Sequence, residues 1–136
     1  MSLREFPPMT PEDVRLMNPL KLAHIGDTVW DLMIRSRLLA AGKTVHHMHE
    51  GAVAFVNARS QAAALRGMMD HLSPEEQDIV RRGRNTHAHH AAPKNQDPAD
   101  YASATALEAL MGYLYLTGQD ERIRQLFAAC VEENNA

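Results

Sequence analysis

LAHIGDTVWDLMI at residues 22–34 and ATALEALMGYLYL at residues 104–116 decide how this chain is read. Both have the composition of buried helices, and each carries an acid inside its apolar run. Helical spacing lines Glu108 up with Ala104, Met111 and Tyr115, at i−4, i+3 and i+7; it lines Asp27 up with Ala23, Trp30 and Ile34. An ionised carboxylate among apolar neighbours is costly unless it is paired, hydrogen-bonded or bound to a metal. Two such acids, on the two most hydrophobic stretches of a small protein, predict an acidic centre.

The segments around them are helical as well. Thr10 followed by Pro11, Glu12 and Asp13 predicts a short capped helix. Asn18 and Pro19 open a long one that Gly42 stops after about Ala41. Thr44 begins a stretch read as two helices meeting near Asn57–Ser60, and SPEE at 73–76 is a capping box whose helix Gly83 is expected to end. Residues 84–97 are polar and without period, a loop. Asp97 and Pro98 open the helix carrying Glu108, Gly118 closes it, and a last helix covers about 119–133. No stretch alternates apolar and polar residues long enough for a strand. The fold class is all-α, in one domain over 1–136 with a core of about 18–130.

Composition bounds the function. At 136 residues, 45% hydrophobic and 23% charged, the chain is long enough to bury a core and too apolar to stay disordered. Asp27, Asp31, Arg35 and Glu108 interrupt the apolar runs, which argues against a membrane span. MSLREFPPMTPED lacks the basic-then-apolar pattern of a signal peptide, and the single Cys130 forms no internal disulfide, so a cytoplasmic location is expected. Net charge is −3, which argues against a bulk polycation. Yet RRGRNTHAHHAAPKN at 81–95 holds Arg81, Arg82, Arg84, Lys94 and three histidines without one acid. That local excess fits an anionic partner; the alternative is a solvated helix end complementing its own dipole.

Spacing alone leaves the acids with more than one use. Asp27 and Glu108 fit Mg²⁺, which takes hard oxygen ligands, keeps several waters and completes its shell with phosphate oxygens; Asp31, one turn beyond Asp27, is placed for a water-mediated contact. Each acid also fits an ion pair with a nearby base. His24, Asp27 and Asp31 share a face, but one histidine and two carboxylates make a poor zinc set, and His46, His47 and His49 lack a supporting Cys or HExxH pattern.

LAHIGDTVWDL resembles the signature helix of ribonuclease III, an apolar run ending in a glycine and a catalytic aspartate. TALEALMGYLYL resembles that family's second catalytic segment, and the two stand in family order about eighty residues apart. VNARSQA (56–62), RGRN (82–85) and PKN (93–95), with the short length, resemble Mini-ribonuclease III, a catalytic domain without a double-stranded-RNA-binding domain. The resemblance implies a ribonuclease III-like helical bundle and makes Asp27 the catalytic aspartate and Glu108 the metal-binding glutamate. Ala23 and Thr105 stand where full-length ribonuclease III has two further carboxylates, so one Mg²⁺, or Mn²⁺ in its place, fits better than two. The same resemblance implies a homodimer that cuts double-stranded RNA, leaving a 5′-phosphate and a 3′-hydroxyl, with a ribosomal RNA precursor (23S) as the expected substrate. Without a separate RNA-binding module the catalytic domain must hold the duplex through phosphates and 2′-hydroxyls. Arg59, Gln61, Arg82, Arg84, Asn85, Lys94 and Asn95 are the expected contacts. The alternative is a module of the same fold that grips structured RNA without cutting it.

Overall fold

The structure, a computed structural model, describes residues 3–42, 44–86, 94 and 96–134. Its helices are α1 (Pro11–Arg15), α2 (Pro19–Ala40), α3 (Val45–Val56), α4 (Ala58–Met68), α5 (Pro74–Asn85), α6 (Pro98–Leu116) and α7 (Asp120–Asn134), with a 3₁₀ turn at Met69–His71. Among the described residues there is no strand, and the all-α expectation holds. No helix among them is long and apolar enough to cross a membrane.

Helix starts follow local chemistry. The Asn18 side chain accepts from Leu20 N–H at 2.9 Å, Asn57 from Ser60 N–H at 2.8 Å and Asp97 from Ala99 N–H at 2.7 Å, so each satisfies an orphan donor of its first turn. At α5, Ser73 and Glu76 form the reciprocal capping box. Glu76 does more: its buried carboxylate takes Arg122 Nε at 2.9 Å and Nη2 at 2.8 Å, while Nη2 also reaches His71 O at 2.5 Å. Burial pushes the Glu76 carboxyl up, but the bonds from Arg122 and from the Ser73 backbone outweigh it and hold the group below its usual range. The pair ties the start of α5 and the preceding turn to α7. Gly118, at φ +74°, supplies the left-handed residue that ends α6.

Gly83 does not end α5. The helix runs on to Asn85, and a Cβ on Gly83 would lie 3.0 Å from Ala106 Cα. The glycine is there to let α5 approach α6, and this packing overrides the breaker reading.

The bundle is built around α6. Its faces pack against α2, α4, α5 and α7. From Ala104 to Leu114 every residue is buried except Glu108, which is half-buried. A helical stretch apolar all round belongs in the interior; the one acid between Ala104 and Leu114 therefore marks the place where the bundle opens. Leu22, Trp30, Leu65, Met68, Ile79, Leu107, Leu110 and Leu126 fill the surrounding core, with Trp30 edge-on to Phe127 at 5.3 Å. The lone Cys130 is buried within it.

Candidate catalytic centre

The acidic centre depends on how closely α2 and α6 cross. A Cβ built on Gly26 would fall 1.6 Å from the Glu108 carbonyl oxygen, and one on Gly112 2.0 Å from the Leu22 carbonyl oxygen. The two helices thus touch backbone to backbone through a pair of glycines. Asp27 follows the first glycine, and Glu108 supplies the carbonyl on which that glycine rests. The crossing brings together two acids that lie far apart in the chain.

Their environments differ. Asp27 is exposed although its helical neighbours Ala23, Trp30 and Ile34 are buried, so the expectation of two buried acids is corrected for this one. It stands at the rim of the apolar stripe, facing solvent. Glu108 is held deeper. Burial, a hydrogen bond with the Asp27 carboxyl and the Asp27 charge push its pKa up to about 8, while the amide of Gln61 pulls the other way. Two carboxyls in contact resist double ionisation, so Glu108 keeps its proton to a higher pH than a free carboxyl does.

Such a pair suits a hard divalent cation. Its oxygens are the ligand type that Mg²⁺ prefers, and a cation held between them would relieve the repulsion. Among the described residues no cluster of three His, Cys, Asp or Glu side chains stands ready for a metal. His24 is exposed, and Asp31 pairs with Arg35 at 3.0 Å rather than turning to the centre. Ala23 and Thr105 are both buried. The donor set fits an ion that keeps most of its shell as water and substrate oxygen.

The residues expected to contact RNA separate into groups. Arg59, Arg84, Asn85 and Lys94 are exposed, and among the described residues neither Arg59, Arg84 nor Lys94 forms an ion pair. Arg82 is half-buried, with Nη1 bonded to the Arg15 carbonyl and Nη2 3.4 Å from the Met17 carbonyl. It anchors the end of α1 to α5, as unsatisfied carbonyls at a helix end invite. Gln61 is only 3% exposed, so its side chain is not placed to touch a duplex. Its inward position follows from α4 burying Gln61, Ala62, Ala64, Leu65 and Met68 on one side. Asn95 and most of the 84–97 segment lie outside the described residues. The sequence reading also did not anticipate the Gly26–Gly112 crossing, although a glycine beside or one turn beyond each acid was visible.

Known proteins resemble this chain over most of its length. The Ribonuclease III domain model matches residues 20–119. The Mini-ribonuclease 3 of Symbiobacterium thermophilum is 47% identical over 115 residues, covering 84% of this chain and 88% of that one. The Mini-ribonuclease 3 of a Thermoanaerobacter species is 42% identical, covering 91% and 87%. A crystal structure of a protein from Fusobacterium nucleatum superposes with a TM-score of 0.78 at 30% identity, over 90% of this chain and 98% of that one.

Proposed function

The chain belongs to the ribonuclease III family and is an endoribonuclease, and on that premise we propose that Asp27 and Glu108 form a Mg²⁺-dependent centre that hydrolyses double-stranded RNA. The observation that carries this reading is the contact of the two carboxyls at the Gly26–Gly112 crossing, one open to solvent and one held by the core. Enzymes of this family act on double-stranded RNA, generally depend on a divalent metal and usually form dimers. The finer assignments are ours: Mg²⁺ with Mn²⁺ as substitute, a homodimer with one centre per strand, and maturation of large-subunit (23S) ribosomal RNA in the cytoplasm.

When bound, the cation supplies positive charge opposite the phosphate and lowers the pKa of water. Asp27, being exposed, would hold the ion from the side open to solvent and substrate. Glu108, fixed by the buried helix that carries it, would hold the ion as a carboxylate, its proton having passed to solvent. Water adds to phosphorus as the bond to the 3′-oxygen breaks, and one water proton ends on that oxygen, so the products are a 5′-phosphate and a 3′-hydroxyl. Arg59, Arg84, Asn85 and Lys94 hold phosphates and sugars of the duplex, with Asn95 beside them in sequence; A-form RNA offers these groups without regard to base sequence. Arg82 serves the fold, keeping α1 against α5.

A labelled RNA duplex incubated with Mg²⁺, Mn²⁺ or EDTA tests the proposal, alongside Asp27→Asn and Glu108→Gln. Expected is metal-dependent cleavage that both variants lose while duplex binding persists. Variants that cleave as well as the unaltered protein would refute the site. Duplex binding without cleavage under any metal would favour the non-cutting RNA-binding module instead.

A further inference from the structure

Gln61 is a polar residue where α4 otherwise buries alanine, leucine and methionine. Its Nε2 is, among the described residues, the one buried side-chain nitrogen or oxygen without a hydrogen-bond partner. A buried amide without an acceptor is destabilising, and an apolar side chain of the same shape avoids that cost. Two observations say what the amide faces. α4 packs along α6, the helix that carries Glu108, and the Gln61 amide stands beside the Glu108 carboxyl without closing a hydrogen bond to it. Its place is also fixed, since Asn57 caps α4 through Ser60 N–H one residue earlier.

We propose that Gln61 is a positioning residue whose side-chain amide donates to the Glu108 carboxylate and fixes its orientation for the cation. The inference rests on the assignment of Asp27 and Glu108 as the metal centre. A carboxylate has two oxygens, and a ligand that offers one to a cation leaves the other free to accept. Gln61 is the buried donor at hand for it. Outer partners of this kind set the orientation and basicity of a metal ligand, and their loss typically lowers affinity or activity about 10- to 100-fold.

Gln61→Met keeps the unbranched shape and removes the donor; Gln61→Leu is the second variant. Three quantities are measured on each: Mn²⁺ affinity of the RNA-free protein by electron paramagnetic resonance, the Mg²⁺ concentration for half-maximal cleavage, and Tm without metal. Expected are a Tm equal to or above that of the unaltered protein, Mn²⁺ binding weakened about 10- to 100-fold, and a matching rise in the Mg²⁺ requirement. Duplex binding in EDTA should not change. Unaltered Mn²⁺ affinity in either folded variant would overturn the proposal, as would failure of both to fold, which would make Gln61 a packing residue. Weakened duplex binding with normal Mn²⁺ affinity would return it to RNA contact. Glu108→Gln runs in parallel: if it binds Mn²⁺ normally, the metal-centre assignment itself fails, an outcome distinct from the failure of Gln61 alone.

Discussion

Gly26→Ala tests the link between fold and site most directly. The added Cβ would sit 1.6 Å from the Glu108 carbonyl oxygen, where ordinary contact begins at 3.4 Å. Relief therefore needs 3.4 − 1.6 = 1.8 Å of movement between α2 and α6, and the atom in the way is backbone, which no rotamer can withdraw. In an unhindered helix the change would stabilise by about 1 kcal/mol. Overpacking costs up to about 3 kcal/mol, which leaves a net loss of about 2 kcal/mol and lowers Tm by roughly 6–8 °C in a chain of this size. The functional loss should be larger. Catalytic groups tolerate about 0.5 Å, and a displacement of 1 Å costs about a hundredfold. Duplex cleavage should thus fall at least about a hundredfold in protein that is still folded at the assay temperature. Gly83→Ala is the contrast, because its Cβ needs only 3.4 − 3.0 = 0.4 Å of relief against Ala106 Cα; cleavage there should stay within a few-fold. The assays are thermal unfolding by circular dichroism and single-turnover cleavage at saturating Mg²⁺. Wild-type Tm and cleavage in Gly26→Ala would refute the backbone-to-backbone crossing and with it this account of how the acids meet.

Without metal, folding stability should depend on Glu108, whose carboxyl is raised to about 8 from an ordinary 4.5. The contribution is complete below about pH 4.5 and is lost as pH rises to about 8, by no more than about 1.4 kcal/mol per pH unit; urea unfolding at several pH values should show the fall, and Glu108→Gln should abolish it. Because Glu108 must lose its proton to bind a cation, Mn²⁺ affinity should climb over the same range and level off above pH 8, and a flat calorimetric profile would count against Glu108 as a ligand. Arg122→Ala strands the buried Glu76 carboxylate and should cost on the order of 3 kcal/mol at pH 7; since that carboxyl is held below its usual range, the stabilisation is present at neutral pH and disappears on acidification through the lowered value. Arg59→Ala and Arg84→Ala should each weaken duplex binding and reduce the slope of log affinity against log salt by about 1, whereas unchanged slopes in both would exclude them from the RNA-contacting surface.

Most helix starts were legible because a cap is a bond between residues two or three apart, and Asn18, Asn57, Ser73 and Asp97 each make the bond their sequence advertises. Gly83 misled because the same residue that ends a helix in isolation can also admit a neighbour, and only Ala106 at 3.0 Å distinguishes the two uses. Arg82 and Gln61 were read as surface residues from their chemistry. The sequence holds no sign that carbonyls of Arg15 and Met17 stand within reach of Arg82, or that the polar member of α4's buried side is turned toward Glu108.

By itself the sequence determined the helical class, most of the caps, and the identity of Asp27 and Glu108 as the acids to follow. Those are properties of local spacing and residue chemistry. The tertiary structure alone decided that Gly26 and Gly112 let two backbones touch, that Asp27 opens to solvent while Glu108 is held in the core, and that the Glu108 carboxyl keeps its proton up to about pH 8. Helical periodicity states which side of a helix is apolar but not which helix will cover it. How far Glu108 is desolvated, and so how tightly it keeps its proton, depends on neighbours that include one some eighty residues away.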